Sequence, residues 1–292
     1  MSHILTLVVD RAATTLSDAI IARVRDAIQG RPALLLSPGE AADIPCPGPP
    51  DMAAVAAALA GAPVDAIATR ARGRRKGLLV ADMDSTIVTT ETLDELAAFA
   101  GIKDRIAEIT RRAMNGELDF AAALRQRVGM LKGLPLGALE QTWAGTELMP
   151  GARELVATMR AHNATTALVS GGFSFFTSRV AEAVGFQIHR SNALLDDGQA
   201  LTGEVGEPIL GKDAKLAALH ELAAARGLKL AATLAVGDGA NDLPMILDAG
   251  LGVAFRAKPM VAAQTRAHVD HANLRALLFA QGYRHEDIVG AP

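Results

Sequence analysis

The chain opens on a continuous apolar run, Ile4-Leu5-Thr6-Leu7-Val8-Val9, whose β-branched content predicts a buried strand. Ala19, Ile20, Ile21, Val24 and Ile28 then recur at helical spacing and predict a helix over 17–28. Residues 33–36 predict a second strand and 52–59 a second helix. Between them Pro45-Cys46-Pro47-Gly48-Pro49-Pro50 is a breaker cluster that predicts loop. From residue 77 the pattern changes to short, wholly apolar strands separated by helices, at 77–81, 165–169, 233–236 and 251–255. Such strands predict a parallel sheet covered on both faces. Residues 90–150 are mostly helical in pattern, more than one crossover needs, and predict an inserted helical subdomain. The sequence has neither an internal repeat nor a low-complexity tract.

A basic junction, Arg70-Ala71-Arg72-Gly73-Arg74-Arg75-Lys76, separates these two regimes and reads as a solvated linker. The expected division is therefore a small α/β unit over 1–74 and a larger unit over 75–292, with its helical cap at about 90–150. Of 292 residues half are apolar, enough for a sizeable core. The formal net charge of −3, from 29 basic and 32 acidic side chains, excludes a bulk electrostatic grip on nucleic acid or an anionic membrane. No apolar stretch approaches the ~18 residues of a membrane span, and the N-terminal run is short for a secretory signal. The single cysteine, Cys46, excludes an intrachain disulfide and a cysteine-based zinc site, and its proline-rich surroundings predict an inert thiol. A cytoplasmic protein is the expectation.

In open α/β sheets functional groups gather beyond the carboxyl ends of the strands. There this sequence places Asp82-Met83-Asp84-Ser85-Thr86, Ser170-Gly171-Gly172 and Gly237-Asp238-Gly239-Ala240-Asn241-Asp242. Carboxylates crowded at one edge repel unless a cation neutralises them, and hard oxygen donors point to Mg²⁺. A phosphate would then be held by the metal, the Ser170 hydroxyl, amides near Gly171 and a lysine. No P-loop is present, but a carboxylate can itself act as nucleophile on phosphorus.

In their order and spacing, the Asp-x-Asp-x-Thr strand end, the later Ser, a Lys, and Gly-Asp-Gly-x-Asn-Asp resemble the four motifs of the haloacid-dehalogenase-like phosphatases. Glu91, Leu124-Arg125-Gln126-Arg127-Val128, Leu148-Met149-Pro150-Gly151, Val169 through Phe173, Val236 through Pro244 and Ala257-Lys258-Pro259 sharpen the likeness toward the phosphoserine phosphatase branch, over roughly residues 77–280. The resemblance implies a Rossmann-like parallel core with a helical cap and a Mg²⁺-dependent phosphatase acting through an aspartyl-phosphate. It implies Asp82 as nucleophile and Asp84 as general acid and then base. Metal ligands would be Asp82, the Asp84 backbone carbonyl and Asp238, with Asp242 anchoring the metal's water shell. Ser170 and the Gly171 amide would hold phosphoryl oxygens. Lys215 would neutralise phosphate charge and orient Asp82, with Lys212 as its rival three residues away. Asn241 would stand at the substrate end.

On the cap, the resemblance assigns Glu91 to a substrate ammonium and Arg127 to a carboxylate, a pair suited to the zwitterion of phosphoserine. Met114 and Phe120 would exclude water on closure. Read alone, Glu91 is a first-turn helix acid, Arg127 a surface arginine, and Asp94, Glu95 and Asp104 solvated helix positions. A nicotinamide-binding Rossmann domain is disfavoured, because it requires Gly-x-Gly-x-x-Gly where this chain has an acidic turn. The first segment has the strand–helix–strand look of an ACT-like sensing domain. It would serve as a regulatory module or a dimerisation surface, so a homodimer is among the expectations.

Overall fold

The computed structural model describes residues 2–114, 118–211 and 213–290. Its first part is a four-stranded antiparallel sheet built from β1 (His3–Val8), α1 (Asp18–Ala27), β2 (Leu34–Ser37), β3 (Ala41–Cys46), α2 (Met52–Leu59) and β4 (Asp65–Arg70), in spatial order β2-β3-β1-β4. Both helices start on side-chain caps. Ser17 accepts from the Ile20 amide, and Asp51 accepts from Ala53 and Ala54. Leu5, Leu7 and Ile44 of the sheet pack with Val24, Val55 and Leu59 of the helices. The small antiparallel sheet is consistent with an ACT-like domain.

Pro45 corrects the expected loop, since β3 continues through it, with Ile4 opposite Pro45 and His3 opposite Cys46. The Pro45 carbonyl accepts from the Arg31 amide, on the side away from β1. Its missing N–H faces that same side, beyond Leu34 at the start of β2, and so removes nothing from the β1 ladder. Cys46 is buried in this strand, where burial pushes its thiol up.

The second part is a six-stranded parallel sheet in order β12-β11-β10-β5-β6-β7. After β5 (Leu78–Ala81) the chain leaves for the cap, α3 (Thr92–Phe99), α4 (Lys103–Met114), α5 (Phe120–Gly129) and α6 (Gly137–Ala144). It returns through α7 (Ala152–Ala161) to β6 (Thr165–Phe173), α8 (Ser174–Val184) and β7 (Ile188–Asn192). A hairpin, β8 (Leu194–Asp196) and β9 (Leu201–Val205), then lies against α5. The remaining elements are α9 (Ala214–Ala225), β10 (Thr233–Gly237), α10 (Leu243–Asp248), β11 (Leu251–Phe255), α11 (Pro259–Ala262), β12 (Ala267–Val269) and α12 (Ala276–Ala280). Alternate residues of β5 face opposite layers. Leu78 and Val80 pack with Leu219 and Met245, while Leu79 and Ala81 join Leu155, Phe176 and Leu277. The entering and leaving chains of the cap are pinned together where Val88 bridges Leu148 and the Met149 amide donates to Ile87.

The basic junction is not the solvated linker its composition suggests. Arg74 is largely buried and pairs with Asp43 at 2.5 Å, donates to Thr6 Oγ1, and reaches the Phe279 and Ala280 carbonyls. Arg75 lies over the Tyr283 ring and pairs with Asp287. These partners, together with the buried Arg275–Glu40 pair, lock the antiparallel sheet onto the C-terminal segment. Asp65 of β4 adds a third link by accepting from the Asp270, His271 and Ala272 amides. Asp65→Asn sets an amide NH₂ against one of those donors and is expected to cost about 1–3 kcal/mol. Chemical denaturation checks this; an unchanged midpoint would show that the link carries no stability.

Candidate active site

Asp82 continues the β5 ladder, its amide donating to the Val236 carbonyl, and its carboxylate stands at the sheet edge. Asp82 Oδ1 accepts from the Met83 amide at 2.8 Å and from Lys215 Nζ at 2.6 Å. The chain then turns tightly, with the Ile87 and Val88 amides both donating to the Met83 carbonyl and Ser85 in the left-handed region at φ 54°. That turn returns Asp84 to the start of α3, where Oδ1 accepts from the Thr92 amide at 2.9 Å. The other oxygen, Oδ2, lies 3.5 Å from Ser170 Oγ.

Ser170, Gly171 and Gly172 occupy the shift in register between β6 and β7, so the loop stands off the ladder. Gly172 donates from its amide to Ser170 Oγ at 2.9 Å. At the end of β10, Asp238 is buried, and Asp242 turns back under it, Oδ2 accepting from the Gly239 amide. Only glycine fits at 237: a Cβ there would lie 2.3 Å from Asp242 Cγ. Lys215, in the first turn of α9, bridges Asp82 and Asp242, with Asp242 Oδ1 at 2.5 Å. Lys258 approaches Asp238 Oδ2 at 3.7 Å and was legible only as part of a longer motif.

The electrostatics of this edge are lopsided. Burial and then Asp242 push Asp82 well above the usual carboxylate range, against the pull of Lys215. Asp84 is pushed up to about 6 by burial and by Glu91. Asp238 is pushed up to about 6 by burial and by Asp242. Burial works to lower Lys215, but Asp242 and Asp82 outweigh it and hold the ammonium above the ordinary lysine range. Among the described residues the carboxylates of Asp82, Asp84, Asp238 and Asp242 thus face two lysines, Lys215 buried and Lys258 half-exposed. The donor set fits a divalent cation: oxygens of Asp82, Asp238 and Asp242 lie within 4.8 Å of one another, all hard ligands.

Above the edge a narrow cavity is lined by Phe120, Ser170, Gly171, Leu210, Lys215 and Asn241, joining the cap to the core. Glu91, exposed at the start of α3, accepts from Ser85 Oγ at 2.8 Å. Arg127 is half-buried on α5 and donates to the Ala123 carbonyl and to Thr110 Oγ1. Burial lowers its guanidinium, while Asp94 and Glu91 act to hold its charge. Asp94 therefore differs from the solvated position expected of it: it is half-buried, its pKa raised by burial and by Glu91. The Met114 side chain and Lys212 lie outside the described residues. A residue that sequence reasoning missed is Asn192, buried at the end of β7 and hydrogen-bonded to the Gly171 carbonyl. A polar residue on an edge strand gives no pattern to find.

This acid-rich edge, with a buried lysine, a hydroxyl and a lid of helices, suits transfer of a phosphoryl group. A family profile described as haloacid dehalogenase-like hydrolase matches residues 79–247. The phosphoserine phosphatase of Streptococcus thermophilus is 47% identical over 199 residues, 68% of this chain and 93% of that protein. That of Streptomyces coelicolor is 39% identical over 239 residues, 82% of this chain, although the chain spans only 58% of its length. The crystal structure of a probable phosphoserine phosphatase from Vibrio cholerae matches with TM-score 0.79 at 33% identity, over 98% of this chain and 88% of that one. The chain belongs to the haloacid dehalogenase-like hydrolases, and within them to the phosphoserine phosphatase family. Among the described residues no helix is long and apolar enough to cross a membrane.

Proposed function

We propose that the chain hydrolyses O-phosphoserine to serine and phosphate, the final step in making L-serine, in the cytoplasm and with Mg²⁺. The observation that carries this reading is the convergence of Asp82, Asp84, Ser170 and Lys215 at one sheet edge, under a cap that brings Glu91 and Arg127 into each other's field. An Asp82 oxygen attacks phosphorus as the bond from phosphorus to the seryl oxygen breaks, and Asp84 gives its proton to that leaving oxygen. Water then attacks the phosphorus of the aspartyl-phosphate, Asp84 takes its proton, and phosphate leaves with the Asp82 carboxylate restored. Ser170 and the Gly171 amide hold the phosphoryl oxygens, and Lys215 offsets their charge and aims Asp82. Asn241 borders the substrate end of the cavity. Mg²⁺ would be held by Asp82, Asp238 and the Asp84 carbonyl, with Asp242 behind them, and would supply charge neutralisation of the transferring group.

The test is phosphate release from a panel of small phosphate esters. Phosphoserine is expected to lead, activity to vanish with a chelator, and Mg²⁺ to restore it. A sugar phosphate preferred over phosphoserine would overturn the substrate assignment, and full activity after exhaustive chelation the cation. In this reading residues 1–74 form the small N-terminal unit, with a homodimer among the expectations; sedimentation would give the mass.

A further inference from the structure

We infer that Asn192 is a positioning residue for the phosphoryl-binding loop, acting through the peptide between Gly171 and Gly172 to aim the Ser170 hydroxyl. Asn192 is 1% exposed and spends both ends of its amide on two separate loops. Nδ2 donates to the Gly171 carbonyl at 2.9 Å, and Oδ1 accepts from the Leu210 amide at 2.7 Å. The Gly171 carbonyl and the Gly172 amide belong to one planar peptide, so fixing the carbonyl fixes the direction of the N–H. That N–H donates to Ser170 Oγ at 2.9 Å. With one lone pair of Oγ committed as an acceptor, its own proton is directed toward the site, where Asp84 Oδ2 lies 3.5 Å away.

Two features of the fold make such a tether necessary. The loop stands in the register break between β6 and β7, where the ladder itself does not hold it, and Asn192 is opposite Phe173 at the far side of that break. Two adjacent glycines also leave the backbone free to rotate, so a side chain must supply the order that the residues do not. The Leu210 bond extends the tether to the segment that leads into α9 and Lys215. Asn192 thus connects two walls of the cavity without itself being among its lining residues.

The inference rests on Ser170 holding a phosphoryl oxygen, and the test separates the two. In Asn192→Ala and in the volume-conserving Asn192→Leu, kcat/KM for phosphoserine is expected to fall about tenfold, the loss of one hydrogen bond's worth of order. The inhibition constant for inorganic phosphate is expected to rise in step. In a Ser170→Ala background the same Asn192 changes should cost less than about twofold, because the group they aim is gone. A merely structural asparagine would cost the same factor in both backgrounds, and that additive result would overturn the inference while leaving Ser170 in place. A Ser170→Ala chain with undiminished kcat/KM would overturn the reading of Ser170 and this one with it. Melting curves accompany each variant, and the Leu variant carries the comparison if the Ala variant does not fold.

Discussion

Asp82→Asn is expected to lower kcat by about four orders of magnitude or more while the protein melts, in metal-free buffer, at the same temperature or higher. The first half follows from chemistry. An amide matches the carboxylate in shape but is a poor nucleophile toward phosphorus, and Asp242 is not free to take its place, with Oδ1 on Lys215 and Oδ2 on the Gly239 amide. The second half follows from burial. Asp82 is 6% exposed, and burial together with Asp242 makes its charged form costly despite Lys215. Removing that charge relieves repulsion within the acidic cluster, and Lys215 keeps Asp242 as its partner. Function here is held at the expense of stability, so the two readouts should part company. Retention of more than a few per cent of turnover would displace Asp82 as nucleophile. A large drop in melting temperature would show that Asp82 holds the fold rather than the chemistry.

The four strands at the centre of the parallel sheet were legible because both their faces are buried, which leaves an uninterrupted apolar run. The edge strands were not. β7 reads Ile-His-Arg-Ser-Asn and is half solvated, and β12 has three residues. Neither offers a periodicity to detect, although β7 carries Asn192. The proline in β3 misled for a related reason. Proline forbids a donor, but the side on which the donor is missing depends on the neighbouring strand, which local sequence does not contain.

The acidic residues of the site were legible from composition and position together, since charged turns after apolar strands are costly without a ligand to neutralise them. Their partners are another matter. Arg74 reads as a solvated base among four others within seven residues, and only the fold reveals that its partners are Asp43, 31 positions away, and the Phe279 and Ala280 carbonyls, more than 200 away. Asp94 was likewise indistinguishable from a surface helix acid until α5 laid Arg127 near it. Sequence displays the groups that need compensation more readily than those that supply it.

Arg127→Ala is expected to lower kcat/KM for phosphoserine by about 2–4 kcal/mol, roughly 30- to 1,000-fold, and to leave phosphoethanolamine nearly untouched. Among the described residues its hydrogen-bond partners are neutral oxygens at 3.3 and 3.4 Å, the Ala123 carbonyl and Thr110 Oγ1. A guanidinium has five donors, so this one retains a fork for an incoming carboxylate while Asp94 and Glu91 hold its charge. Phosphoethanolamine carries the amine and the phosphate but no carboxylate, and so has nothing for Arg127 to lose. Arg127→Lys should recover only part of the loss, because an ammonium offers a point charge rather than two parallel donors. The measurement is the ratio of kcat/KM for the two substrates in wild type and variant, taken beside a melting curve. Because those two bonds are long and their acceptors neutral, the melting temperature should fall far less than the activity. A fall of both substrates together, with the ratio unchanged, would mean that Arg127 meets the phosphate or props the cap, and the carboxylate would need another partner.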